Sequence, residues 1–225
     1  MESSLLVVST DIMKRNMIES QLKPIGINND FILSIFEKIP REIFIKEDLK
    51  SIAYHDGDIE IKDGRWLLSS HKLAKFISCL EYSQNDVILE IGSGIGYSTA
   101  ILESLASIVV GIEKDNKLRK YANDVMAEIG LDRAIIIEGE HNKGHKKSAP
   151  YDKIFIFGSV PSVPEILLQQ LSDKGNLVCA IRDYNSSSSK AVVFTKNKGI
   201  ISSSILFETY VPEMPGFEEK LDFEF

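Results

Sequence analysis

The chain has 225 residues, 44% of them hydrophobic, enough for one full core in a single large domain or a domain with an N-terminal extension. A formal net charge of −7 and a pI near 5.2 argue against general affinity for nucleic acid or anionic membrane, which needs a basic surface. With only two cysteines, Cys79 and Cys179, neither a disulfide framework nor a Cys-x-x-Cys metal site is available, and both read as buried free thiols.

In chain order, the apolar Leu5–Val8 stretch is far too short for a signal h-region or a membrane span, so a soluble, cytoplasmic protein is expected. Helices are predicted near Asp11–Leu22 and Asn29–Lys38, separated by Pro24, Gly26 and Asn28. Pro40-Arg41-Glu42-Ile43-Phe44 breaks the second, and the charged stretch Asp56–Gly64 reads as turns. Ser69 or Ser70 is then expected to cap a helix whose apolar face is Leu73, Phe76, Ile77 and Leu80. From Asp86 the pattern alternates. Strands are predicted at Val87–Ile91, Ile108–Glu113, Ala134–Glu138, Lys153–Phe157 and Leu177–Arg182, with helices near Thr99–Ala106, Asn116–Ile129 and Val163–Leu171 between them. That alternation predicts an α/β fold: right-handed βαβ crossovers and a mainly parallel twisted sheet with helices on both faces. The last two strands, Ala191–Lys196 and Ile201–Thr209, flank Asn197-Lys198-Gly199 and should form an antiparallel hairpin at one edge. Lys143, Lys146 and Lys147 read as a solvated loop, and Ser186–Ser189 as a short flexible one.

The most informative run is Val87-Ile88-Leu89-Glu90-Ile91-Gly92-Ser93-Gly94-Ile95-Gly96-Tyr97, a strand ending in alternating glycines before a helix. Glycines there let the backbone turn sharply and approach a ligand closely, and helix N-terminal amides beside the turn favour a polar or anionic group. Glu113 ends the next strand about 20 residues on, where a carboxylate accepts ribose hydroxyls. This spacing describes a nucleoside-cofactor site. A dinucleotide fingerprint needs a third small residue where Tyr97 stands, and no Gly-Lys-Ser/Thr follows for a phosphate-binding P-loop. NAD is therefore not expected. Glu138-Gly139-Glu140 falls at a third strand end, where Glu140 is placed to accept from an adenine amino group.

With Glu90 two residues before the first glycine, the acidic-x-Gly-x-Gly-x-Gly strand end resembles motif I of the S-adenosylmethionine (SAM) methyltransferases with a Rossmann-like fold. Ile39-Pro40-Arg41-Glu42-Ile43-Phe44, then Ala53-Tyr54-His55-Asp56, then the glycine run occur in an order and spacing similar to the protein-L-isoaspartate (D-aspartate) O-methyltransferases. Pro150-Tyr151-Asp152-Lys153-Ile154, Val160-Pro161-Ser162-Val163-Pro164 and the segment from Leu171 through Gly175 to Val178 extend the resemblance, which covers roughly Asn16 to Val211. It implies SAM as cofactor, S-adenosyl-L-homocysteine as product, and contacts from Glu90, Gly92, Ser93, Gly94, Gly96, Tyr97, Glu113, Lys114 and Glu140. It also implies an N-terminal helical cap (residues 1–64) on a Rossmann-like methyltransferase domain (residues 65–225), together one compact unit. The implied reaction esterifies the α-carboxyl of isoaspartyl residues in damaged proteins, with neither nucleic acid nor membrane as partner; nothing in the sequence sets an oligomeric state.

The family carries Gly-x-Thr-Ile-Ser-x-Pro before the glycine motif, whereas this chain reads Gly64-Arg65-Trp66-Leu67-Leu68-Ser69-Ser70-His71. Without a gap, Leu68 stands for the acceptor-pocket serine; a one-residue shift brings in Ser69 instead. Arg65 offers a guanidinium that matches a carboxylate bidentately. Trp66 is a candidate wall of the acceptor pocket or a core residue, Ser69 and Ser70 are candidate helix caps, and His71 reads as an exposed helix residue. Arg65 and Ser69 are thus the acceptor-side candidates. The altered segment leaves two other readings: a SAM methyltransferase with a different acceptor, and a SAM-binding protein without catalysis.

Overall fold

The computed structural model describes residues 9–182 and 188–218. The Leu5–Val8 stretch, Ser186 and Ser187 of the serine loop, and the tail from residue 219 lie outside the described residues. Helix α1 (Thr10–Met17) begins where the Ser9 hydroxyl accepts from the Ile12 amide, and its path continues through wider and tighter turns to Gly26. Helix α2 (Asp30–Lys38) is capped by Asn29, whose side-chain oxygen accepts from the Phe31 and Ile32 amides. It buries Ile32, Leu33, Ile35 and Phe36, at a spacing that gives one apolar stripe.

The stretch expected to be turns contains two strands. β1 (Ile59–Lys62) and β2 (Arg65–Leu67) pair antiparallel around Gly64, apart from the main sheet. Ile59 and Ile61 alternate inward with Glu60 and Lys62 outward, a period of two that the surrounding turn residues masked. Helix α3 (Ser70–Ile77) follows, with Ser69 at its N-cap position. No hydroxyl caps it: the Ser69 amide donates to Asp58 at 2.8 Å, and the Ser69 side chain is buried without a partner.

The main sheet runs β3 (Val87–Ile91), β4 (Ile108–Glu113), β5 (Ala134–Glu138), β6 (Tyr151–Val160), β7 (Leu171–Arg182), β8 (Ser189–Asn197) and β9 (Ile200–Thr209). Their spatial order is β5-β4-β3-β6-β7-β8-β9; the first five are parallel, and β8 and β9 are antiparallel as expected. The hairpin turn places Lys198 and Gly199 at positive φ, as a tight two-residue connection requires. β6 and β7 are longer than predicted, and α6 (Glu165–Gln169) is correspondingly shorter.

Alternate strand residues feed two cores. Ile88, Val109, Ile136, Phe155 and Val178 pack with residues of α1 to α3, α4 (Tyr97–Glu103) and α5 (Asn116–Glu128); Leu89, Ile91, Ile112, Ile154, Ile156 and Leu177 pack with Leu167 of α6, Met214 and Phe217. Each such side chain contributes about 1.5–3 kcal/mol when fully buried. The geometry follows from the handedness of the crossovers. The chain adds β4 and β5 on one side of β3, then β6 and β7 on the other, so α4 and α5 cover one face and α6 the opposite one. Strand order reverses at β3, and the crevice for a ligand lies outside the carboxyl ends of β3 and β6.

Candidate active site

At that crevice β3 ends in Gly92, Gly94 and Gly96, all at positive φ. The Gly92 and Ser93 amides donate to the Ile112 carbonyl at 2.8 and 3.1 Å, which holds the turn against the end of β4. A β-carbon on Gly92 would lie 2.4 Å from the Met214 sulfur, so the strand end faces the C-terminal segment directly. Gly96 serves packing instead: a β-carbon there would lie 2.9 Å from Ala122 Cβ, so its absence lets α4 and α5 come together. Tyr97 is wholly buried, 5.7 Å from the Phe44 ring and 4.8 Å beneath the Arg41 guanidinium, so it supports the turn from behind. The Ser93 hydroxyl is buried without a partner.

Two carboxylates flank the turn, and their surroundings push them in opposite directions. Glu90 is completely buried on the α4 side of β3. Thr99 donates its hydroxyl to one of its oxygens, and the other has no partner. Burial raises its pKa above the ordinary carboxylate value despite the hydrogen bond from Thr99. Glu113 is equally hidden at the end of β4, but burial is outweighed there. His141, the Arg65 guanidinium and the Asp115 amide hold its pKa down to about 2. Its oxygens accept from the Gly94 amide at 2.8 Å, the Asp115 amide at 3.0 Å and Arg65 Nη2 at 2.6 Å, with His141 Nε2 at 3.5 Å.

Arg65, expected on the acceptor side, thus points at Glu113 at the end of β4. Its Nη2 also donates to the Gly92 carbonyl at 2.9 Å, and its Nη1 meets the Met214 sulfur at 3.0 Å. Met214 belongs to a segment strapped across the strand ends. Ser159 donates to the Pro212 carbonyl at 2.8 Å and accepts from the Met214 amide at 2.9 Å. Arg182 pairs with Glu213, and His141 Nδ1 lies 2.8 Å from the Pro215 carbonyl. Lys114 and Glu140 form an exposed ion pair of 3.0 Å at the rim of β4 and β5. Sequence reasoning missed His141 and Met214. The first was findable, since it follows Glu140 at a strand end; the second has no local signature.

A cleft of about 500 Å³ opens beside this floor, bordered by Gly64, Trp66, Ser159, Arg182, Met214 and Phe217. Trp66 is 39% exposed and walls it rather than packing in the core. Leu68, at the position of the family serine, borders a space of only about 20 Å³ beside Gly92, Ser93 and Gly94. Ser69 is fully buried and reaches neither space. Chemically, the floor presents backbone and buried carboxylate acceptors to a group rich in donors, such as hydroxyls or an ammonium, and the unpartnered Glu90 oxygen fits one.

Comparison with known proteins agrees with this geometry. The family model for protein-L-isoaspartate(D-aspartate) O-methyltransferase matches residues 13–215. The protein-L-isoaspartate O-methyltransferase of Petrotoga mobilis is 34% identical over 168 residues, 74% of this chain and 79% of the relative. That of Trichlorobacter lovleyi is 34% identical over 177 residues, 79% and 82% of the two chains. A solved protein-L-isoaspartate O-methyltransferase superposes with a TM-score of 0.79 at 25% identity, covering 92% of this chain and 66% of the other. The match spans the N-terminal helices, the glycine turn and the sheet as far as Pro215, so the chain belongs to the protein-L-isoaspartate(D-aspartate) O-methyltransferase family.

Proposed function

We propose that this protein uses SAM to methylate the α-carboxyl of isoaspartyl residues in damaged proteins. The observation that carries the reading is the family match across residues 13–215 of a chain whose glycine turn, Glu90 and Glu113 meet at the sheet's switch point. Gly92, Ser93, Gly94 and the unpartnered oxygen of Glu90 would hold the cofactor's methionine end. Glu113 would take the ribose hydroxyls, and Lys114 and Glu140 would border the adenine. Gly96 and Tyr97 act from behind, by packing. The cofactor supplies a methyl group activated on a sulfonium. The acceptor is already a carboxylate at neutral pH, so the protein needs no strong base. Its contribution is to hold the reacting atoms in line and exclude water. Trp66 and the strap would wall the acceptor; Arg182, paired with Glu213, borders the cleft, and Arg65 lies behind it on Glu113. Ser69, buried and remote from the cleft, would act by shaping the start of α3.

Among the described residues no helix is long and apolar enough to cross a membrane. The unpaired thiols of Cys79 and Cys179 suit a reducing cytoplasm. Incubation with methyl-labelled SAM and an isoaspartyl peptide, with its normal aspartyl counterpart as control, tests the proposal. Base-labile label on the isoaspartyl peptide alone is expected. Equal labelling of both peptides, or none on either with cofactor bound, would overturn the reading.

A further inference from the structure

We propose that Arg65 is an exchangeable placeholder: it holds Glu113 until the cofactor arrives, then serves as counter-ion to the acceptor carboxylate, so that cofactor binding prepares the acceptor site. The inference rests on the methyltransferase reading above and adds a coupling between its two half-sites.

The first ground is hydrogen-bond capacity. A carboxylate offers about four lone-pair sites. Oε2 of Glu113 accepts from both Gly94 and Arg65 and is full while Arg65 stays. Oε1 accepts from Asp115, with the His141 ring 3.5 Å away, so a ribose diol that needs both oxygens has to displace Arg65. The second is space. Beside Gly92 and Gly94 only about 20 Å³ is open, room for one or two waters and not for a methionyl group. Arg65 and Met214 fill what remains: a β-carbon on Gly92 would meet the Met214 sulfur and methyl at 2.4 and 2.6 Å and Arg65 Nη2 at 3.3 Å. Met214 Cβ is likewise 3.1 Å from where a β-carbon of Gly158 would stand, so this side chain sits in the crevice between β3 and β6.

The third ground is the fate of the displaced cation. A neutral ribose that takes over Glu113 leaves a guanidinium without its anion, and a buried unpaired charge is costly. Arg65 opens β2, between Gly64 and Trp66, and both of those line the open cleft. β2 pairs only with β1, so no bond of the main sheet holds Arg65 in place. The nearest favourable destination is the cleft, where the substrate brings a carboxylate.

Trp66 is the only tryptophan and adjoins Arg65, so its emission reports both events. S-adenosyl-L-homocysteine and an isoaspartyl peptide are titrated separately and together into wild type, Arg65→Ala, Arg65→Lys and Met214→Ala. In wild type the homocysteine should raise peptide affinity about fivefold or more, with the reciprocal effect of the peptide on its own binding. Arg65→Ala should bind the homocysteine about tenfold more tightly and lose the coupling. Arg65→Lys should restore part of the coupling, and Met214→Ala should speed association while keeping it. Unchanged homocysteine affinity in Arg65→Ala, or coupling equal to wild type, would overturn the placeholder while leaving the methyltransferase reading intact. Failure of all four proteins to bind the homocysteine would overturn that reading and the placeholder with it. Should Arg65→Ala melt too low to titrate, Arg65→Gln is judged by the same outcomes.

Discussion

The floor of the site and the lid above it are built by different means. The floor is local: Glu90, the three glycines and Glu113 lie within 24 positions of one another, each placed by a strand end. The lid is assembled across the chain, with Arg65 touching Glu113 48 positions away and Met214 149 positions away. Floor residues are held by backbone bonds that no side-chain movement removes, such as the Gly92 and Ser93 amides on Ile112. The lid's backbone is anchored too, Met214 through Ser159, but what closes it over the floor is side chains: the Arg65 guanidinium on Glu113 and the Met214 thioether on Gly92. On the proposal above, a rigid floor under a replaceable lid would separate where the cofactor binds from when.

The largest effect that would break this distinction comes from Glu113. Glu113→Ala should weaken S-adenosyl-L-homocysteine binding at least about tenfold, because hydrogen bonds to a charged group contribute about 1.5–3 kcal/mol. It should also destabilise the fold, but by less than the cost of about 3–5 kcal/mol for a broken pair whose survivor stays buried, since Arg65 can turn to the open cleft. Calorimetry and thermal denaturation check the two effects separately; a normal melt with normal affinity would show that the floor does not depend on this carboxylate.

Next is the turn itself. Gly94→Val places a branched side chain at a φ of +57°, where its β-carbon would meet Ile61 at 3.0 Å. Binding of S-adenosyl-L-homocysteine should be lost, and NAD should not bind either form. Retained binding would mean that the turn has more freedom than its contacts allow.

The two buried acids sharpen the comparison through pH. Glu113 is held to about 2, so its contribution to stability is complete above the unfolded carboxylate pKa of about 4.3 and is lost as pH falls from there towards 2. Glu90 has the opposite sign. Its pKa is raised by burial, so its contribution is complete below about 4.3 and fades as pH rises through its higher folded value. Glu90→Gln should therefore flatten the stability change on the alkaline side of 4.3 and leave the acid limb in place. Urea denaturation across pH measures both limbs, and an unchanged alkaline slope would contradict the assignment. The smallest effect belongs to the rim, where Lys114 and Glu140 are well exposed. Glu140→Ala should leave the melting temperature unmoved and change cofactor affinity only a few-fold.

Legibility in the sequence divides along the same line. The strand-glycine-helix pattern, the three strand-end acids and the terminal hairpin all have short-range periodicity or spacing, and each stands in the predicted place. The β1–β2 hairpin was obscured because its two inward isoleucines sit among charged and turn-forming residues. Tyr97 and Gly96 lie in the motif, yet only the packing of α4 on α5 and on the N-terminal segment shows that they work from behind. Arg65 carries a visible charge but no visible partner, since Glu113 is 48 positions away and nothing local marks it among the chain's other carboxylates. Met214 in the crevice could be found only from the path of the strap, which is fixed by pairing with Ser159, Arg182 and His141.

A crystal structure of the protein with S-adenosyl-L-homocysteine tests the central claim most directly. The ligand is expected at the carboxyl ends of β3 and β4, its ribose hydroxyls on Glu113, with Arg65 turned towards the Trp66 cleft and Met214 withdrawn from Gly92. A ligand bound elsewhere, or bound at the turn with the Arg65–Glu113 pair still closed at 2.6 Å, would contradict a rigid floor under a replaceable lid.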